Sequence, residues 1–316
     1  MAIRKIILID LDGTIYTGGV QIGGAMAAIN VLRQQGHKLL FLTNTDSVPS
    51  NQVIAKVYAL GLDISRDELF TPVDAAISYY QNKPEARVLA CTASGVRTQL
   101  ANHIRLVEPG DGPSDVLVGD MGSGLGYSRL NAAFQAIDAG ARLLALQKNR
   151  YYYTGGSANI DTGAIVAALE YATGQEALIL GKPSLDYLKM ALHSLSITTL
   201  QEAMPQTDLY EPWPLPAPVQ ESSTVVPLYE IEPTLPPPED DAPITLEQVY
   251  IVGDDRDSDI RMGAAAGIKT ILVRTGKYAL QLNDPELPQA DYTIDSIADL
   301  PAFLESLEKD IDNDEV

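Results

Sequence analysis

Cysteine is nearly absent from this chain of 316 residues: Cys91 stands alone, so no internal disulfide can form. The three histidines, His37, His103 and His193, are scattered without metal-ligand spacing, which makes zinc and thiol redox chemistry poor expectations. Basic residues are scarce, 22 Lys and Arg against 42 Asp and Glu, for a net charge of −20. Nucleic acid and anionic membrane surfaces both require a basic footprint, so neither is expected as a partner. Long apolar runs are missing too, and none approaches the roughly 20 residues that span a bilayer. The start, MAIRKIILID, leads into a charged turn without a signal-peptide cleavage pattern, and a cytoplasmic location is expected.

What is present is a core-forming composition, 46% hydrophobic, long enough for two domains or for one enlarged by an insertion. The acidity is unevenly placed. Residues 201–247 hold ten acidic and no basic residues, and 305–316 hold six acidic residues and one Lys. Without these two stretches the remaining chain carries −5, an ordinary value, so the excess charge belongs to appendages.

Short Ile/Leu/Val runs alternate with longer amphipathic stretches, the pattern of a parallel sheet whose strands are joined by helices. Core strands are expected near 5–9, 38–42, 177–180, 248–252 and 269–273, and helices near 24–35, 51–60, 184–194 and 258–266. Between 70 and 170 a second set appears, with strands near 87–90, 115–118 and 142–146 and a helix near 128–139. The expected fold is α/β, a doubly wound and mainly parallel Rossmann-like core with a smaller inserted α/β unit. The core takes 1–70 and 173–305, the insertion 71–172, and an acidic tail 306–316. Residues 201–247 contain 11 of the 20 prolines, a density that removes backbone donors and predicts an extended or disordered segment.

In an open parallel sheet, ligands bind beyond the carboxyl ends of the strands. After IILI comes Asp10-Leu11-Asp12-Gly13-Thr14, and after KLLFL comes Thr43-Asn44-Thr45. After ALIL comes Gly181-Lys182-Pro183, and after QVYIV comes Gly253-Asp254-Asp255. Four strand ends thus deliver polar residues to one edge. Asp10 and Asp254 are hard oxygen donors suited to Mg²⁺. A carboxylate can also attack phosphorus. Thr43 and Lys182 can orient and neutralise phosphoryl oxygens, while Asp12 is placed to give a proton to a leaving alcohol and to take one from water.

Together DLDGTI, FLTN, GKPSLDYL and VGDDRDSDI resemble the four motifs of the haloacid dehalogenase superfamily, in the family's order. GVQIGGAMAAINVLRQQG, LQKNRYY and GAIVAALEYATGQEALILGKP resemble its NagD-like branch with a class IIA cap. The resemblance implies a Mg²⁺-dependent phosphatase acting through an aspartyl phosphate on a small phosphorylated metabolite: a sugar phosphate, nucleoside monophosphate, phosphoglycolate or aryl phosphate. It implies Asp10 as nucleophile and metal ligand, and Asp12 as general acid/base that gives the metal its backbone carbonyl. Thr43, Asn44 and Lys182 bind phosphate or substrate, and Asp254 is a metal ligand. Asp259 holds a metal-bound water or orients Lys182. Thr45 stands where the branch often has a second Asn, and Asp255 replaces a frequent Asn, adding charge beside the metal. Self-association through the cap is left open.

Several stretches carry a plainer reading beside the functional one. Asp255, Asp257 and Asp259 sit where acids stabilise a helix start by about 0.3–1 kcal/mol each, and Asp257 is assigned that role alone. GDMGSGLGYS (119–128) lacks the Lys-Ser/Thr of a P-loop and is read as a cap loop. Lys148 to Tyr153 lie near the return to the core, as leaving-group contacts or as solvated hinge residues. Two rival functions remain: a receiver-type phospho-aspartate signalling module, and a catalytically idle capped protein binding partners through its Pro-rich insertion.

Overall fold

The computed structural model describes residues 5–154, 157–195 and 244–314. β1 (Ile6–Asp10) leads through the hairpin β2 (Tyr16–Thr17) and β3 (Val20–Gln21) to α1 (Ala25–Gln34), β4 (Lys38–Leu42), α2 (Ser50–Ala59), β5 (Leu69–Phe70) and α3 (Pro72–Tyr80). Next come β6 (Val88–Cys91), α4 (Ser94–Ala101), β7 (Asp115–Val118), α5 (Tyr127–Asp138) and β8 (Arg142–Ala145). A second hairpin, β9 (Tyr151–Thr154) and β10 (Ser157–Ile160), precedes α6 (Thr162–Thr173), β11 (Leu178–Ile179) and α7 (Leu185–Ser194). The chain closes with β12 (Val249–Gly253), α8 (Arg261–Ala266), β13 (Lys269–Val273), α9 (Tyr278–Gln281), β14 (Tyr292–Ile294) and α10 (Leu300–Asp314).

Six strands form one parallel sheet in the order β14-β13-β12-β1-β4-β5, with β1 paired to both β12 and β4 at the centre. All five residues of β1 are buried, as a strand covered on both faces requires. Ile7 and Ile9 face one layer with Ile29, Leu32, Val57 and Leu300, while Ile6 and Leu8 face the other with Val73, Leu188 and Met262. Fully burying each such side chain contributes about 1.5–3 kcal/mol before entropy is charged against it. In α1 the buried Ala25, Ala28, Ile29 and Leu32 recur at helical spacing, giving the stripe that lies on this sheet.

Four strands form a second parallel sheet, β11-β8-β7-β6. Val88, Ala90, Leu117 and Leu144 on one of its faces join the same apolar cluster as Ile6 and Leu8, and α5 and α6 cover the other face through Ala133, Ile137, Val166 and Leu169. The α/β core with a smaller inserted unit is therefore as expected.

The tertiary structure corrects several local expectations. Residues 178–179 do not join the core sheet but pair with Leu144 and Ala145 at the edge of the second one. A short apolar run signals burial, not which sheet will accept it. The helix expected over 184–194 begins at Leu185, with Ser184 as its N-cap, accepting from the N–H groups of Asp186 and Tyr187. The helix expected over 258–266 opens as a five-residue π-helical turn, Arg256–Ile260. This wider turn buries Asp259 along with Ser258, and such turns occur mostly at functional sites. The acidic tail is helical through Asp314. Most of the Pro-rich segment, 201–243, lies outside the described residues, while Leu195 and Ile244 on either side pack against one cluster.

Candidate active site

β1, β4 and β12 run parallel, so the residues that follow them reach one edge of the sheet. Asp10 ends β1, Thr43 follows β4 and Asp254 follows β12. Lys182 arrives three residues beyond β11, from the second sheet's edge, and still meets the others. Its Nζ donates to Asp10 Oδ1 at 2.5 Å and to Asp259 Oδ1 at 2.7 Å. The three residues are buried, Lys182 being 3% exposed. Burial alone pushes the ammonium's pKa down, but Asp10 and Asp259 outweigh it and hold the group well above the ordinary lysine range.

Asp254 is 2% exposed, and burial, then the neighbouring Asp10 and Asp259, drive its carboxyl well above the usual range. Burial likewise pushes Asp259 up to about 7, against the pull of Lys182. Asp12, by contrast, opens to solvent; partial desolvation raises it, and Lys56 opposes that rise. The two acids of the DxD turn thus occupy different surroundings, one enclosed and ion-paired, the other open.

Asp255, Asp257 and Asp259 separate cleanly. Asp257, assigned only to a helix start, lies in the π-helical turn and forms an exposed pair with Arg261 one turn on. Asp259 points inward to Lys182. Asp255 accepts from Lys277 Nζ at 2.6 Å, Gln281 Nε2 at 2.7 Å and the Asp257 N–H at 2.9 Å. Burial pushes its pKa up, but Lys277 and these donors reverse the effect and hold it below the ordinary value. The charge that Asp255 adds beside Asp254 is therefore matched locally by a lysine.

The Asn44 side chain holds the segment that carries Lys182. Its Oδ1 accepts from the Lys182 N–H at 2.8 Å, and its Nδ2 donates to the Lys182 carbonyl at 2.9 Å and to Asn149 Oδ1 at 3.1 Å. The Thr43 hydroxyl accepts from the Thr45 N–H and lies 2.9 Å from the Thr45 hydroxyl. Lys148 pairs with Glu170, and Tyr151 to Tyr153 form an exposed hairpin strand.

Four contributors escaped sequence reasoning. The Thr14 hydroxyl donates to Asp10 Oδ2 at 3.0 Å and lies 3.4 Å from Asp254 Oδ1. The Lys277 N–H donates to Asp254 Oδ2 at 2.6 Å. Tyr187 donates to the carbonyls of Thr43 and Phe70, tying α7 to the loop beyond β4. Gly276 (φ 52°), like Gly13 (φ 97°), leaves space for Asp254: a Cβ at either position would fall 2.0 and 2.2 Å from Asp254 Oδ2. Thr14, inside DLDGTI, and Tyr187, inside GKPSLDYL, stood beside signals in the sequence. The others come from segments whose partners are distant.

One oxygen from each of Asp10, Asp254 and Asp259 lies within 4.8 Å of the others. Three carboxylates so close, two of them with raised pKa values, form a hard donor set whose repulsion a divalent cation relieves, and this fits Mg²⁺. Asp259, expected behind the ligands, belongs to this cluster.

A parallel α/β core with carboxylates and a buried lysine at its strand ends defines a hydrolase class that works through an aspartate. The haloacid dehalogenase-like hydrolase family model matches residues 7–103, and the HAD-hydrolase-like model matches 179–300. Haloacid dehalogenase-like hydrolase domain-containing protein 2 of Bos taurus is 27% identical over 292 residues, covering 92% of both chains. Phospholysine phosphohistidine inorganic pyrophosphate phosphatase of Xenopus laevis is 28% identical over 287 residues, covering 87% of this chain and 84% of its own. The p-nitrophenyl phosphatase of Archaeoglobus fulgidus superposes with a TM-score of 0.74 at 21% identity, over 95% of this chain and 99% of its own. The chain belongs to the haloacid dehalogenase superfamily, and a structure described as a putative NagD protein shares its fold, with a TM-score of 0.72 at 19% identity. Among the described residues no helix is long and apolar enough to cross a membrane.

Proposed function

We propose that this protein hydrolyses monoesters of small phosphorylated molecules through an aspartyl phosphate on Asp10, with Mg²⁺ held by Asp10, Asp254 and the Asp12 carbonyl. The observation that carries this reading is the buried Asp10–Lys182–Asp259 arrangement beside Asp254. Bound Mg²⁺ supplies positive charge that draws electron density from the phosphoryl oxygens. Lys182 adds a fixed ammonium, and Thr14 orients Asp10. An Asp10 oxygen forms a bond to phosphorus as the ester P–O bond breaks, and Asp12 gives its proton to the departing alcohol. Water then attacks the phosphoaspartate while Asp12 takes its proton, releasing inorganic phosphate and restoring Asp10.

The solvent opening at Asp12 and its raised pKa suit a group that must hold a proton before the first step and accept one in the second. The unit spanning 71–172 serves as the cap that shields the phosphoryl group and selects the leaving alcohol. A structural relative named for p-nitrophenyl phosphate makes an aryl phosphate the first substrate to try. Turnover of p-nitrophenyl phosphate with Mg²⁺ is expected, and Asp10→Asn should lower it by at least about 10⁴-fold. Turnover surviving in purified Asp10→Asn protein refutes the mechanism. A stable phosphoaspartate with no phosphate release would favour a receiver-type role instead.

A further inference from the structure

The loop beyond β4 carries a second buried acid that the chemistry above leaves unused. Asp46 is 3% exposed, and its Oδ2 accepts from the Thr162 hydroxyl at 2.8 Å and the Asp120 N–H at 3.0 Å. Thr162 opens α6 and Asp120 follows β7, so one core carboxyl grips two separate segments of the cap. From there a hydrogen-bonded circuit returns to the same loop. Asp161, the residue before Thr162, accepts from Gln147 Nε2 at 2.6 Å; Gln147 Oε1 accepts from the Asn149 N–H at 2.5 Å; and Asn149 Oδ1 accepts from Asn44, which holds both backbone groups of Lys182. Gly163 keeps this seam closed, because a Cβ there would fall 2.4 Å from the carbonyl oxygens of Lys148 and Asn149.

We infer that Asp46 is a positioning residue: by fastening Thr162 and Asp120 to the loop beyond β4, it sets through Asn149 and Asn44 where Lys182 stands against Asp10. The inference deepens the proposed phosphatase reading and rests on it for its kinetic consequence only.

The charged groups facing Asp46 are Asp161 from the start of α6 and Asp120 from the turn after β7, both acids, and its hydrogen bonds come from a hydroxyl and a backbone amide. Burial is the main cause that pushes its carboxyl up to about 7. The seam is therefore held best with Asp46 neutral and weakens as pH rises through 7. One unit higher, about a tenth of the carboxyls remain neutral.

Asp46→Asn keeps an acceptor oxygen in place and stays neutral at every pH, so it separates charge from shape. Hydrogen exchange, corrected for intrinsic rates, is followed at Asp120 and 162–164 at pH 6 and pH 8. Wild type should lose up to about tenfold of its protection at pH 8 relative to Asp46→Asn. For p-nitrophenyl phosphate with Mg²⁺, the ratio of kcat/KM at pH 8 to that at pH 6 should be higher in Asp46→Asn than in wild type. Asp46→Ala should lower kcat at both pH values. Equal protection in wild type and Asp46→Asn overturns the seam, and an unchanged kinetic ratio overturns the positioning role even where exchange responds. A protein with no turnover at all sinks the phosphatase reading, while exchange still decides the seam.

Discussion

Two groups of enclosed carboxyls lie within one molecule, and they meet different partners. At the strand ends, Asp10, Asp255 and Asp259 face Lys182 and Lys277. At the cap seam, Asp46 and Asp161 face hydroxyl, amide and backbone donors. Lys277 and its neighbouring donors outweigh burial and hold Asp255 below the ordinary value, whereas burial wins at Asp46 and pushes it up to about 7. Residue type is the same in both places, and the partner decides the use.

The comparison breaks most severely at Lys182. Lys182→Met leaves Asp10 and Asp259 buried without their cation, and urea unfolding should show a loss of about 3–5 kcal/mol. Unchanged stability would mean that the ion pairs do not organise the site. Lys277→Gln should act more mildly, because Gln281 and the Asp257 amide still hold Asp255. A roughly 10- to 100-fold weaker Mg²⁺ dependence of turnover is expected, since Lys277 Nζ pairs with Asp255 beside Asp254. An unaltered Mg²⁺ titration removes Lys277 from the metal's surroundings.

At the seam the effect is one of pH. An aspartate in the unfolded chain titrates near 3.9, whereas folded Asp46 does so at about 7. Between these values the native state binds a proton that the unfolded state lacks, so this group's contribution to stability declines as pH rises from about 4 to 7. Melting temperatures at pH 5 and pH 8 should differ less in Asp46→Asn than in wild type, and an equal difference removes Asp46 as the cause. The smallest change should come from the exposed pair: Asp257→Ala is expected to alter stability by under about 0.5 kcal/mol and leave turnover alone.

Much of this was legible in order along the chain. IILI ahead of Asp10, KLLFL ahead of Thr43 and QVYIV ahead of Asp254 announce buried strands that end in polar turns, and parallel pairing then forces those turns to one edge. Lys182 was legible for the same reason, although its strand joined the other sheet. The hold of the Asn44 side chain on the Lys182 backbone was not legible, because a motif position does not tell which of several polar neighbours will claim an amide. Lys277 and Asp46 offered no local signal, for each acquires meaning from a partner far along the chain.

The sequence by itself determined the alternation of strands and helices, the turns that end them and the acids those turns carry, because burial period and turn chemistry are properties of neighbouring residues. Only the tertiary structure decided that 178–179 would extend the cap sheet, that a π-helical turn would swing Asp259 onto Lys182, and that Asp46 would meet Thr162 and Asp120. Those outcomes depend on which apolar faces pack together. That choice fixes the distances, and with them which carboxyls meet a lysine and which meet a hydroxyl, an amide or a backbone donor.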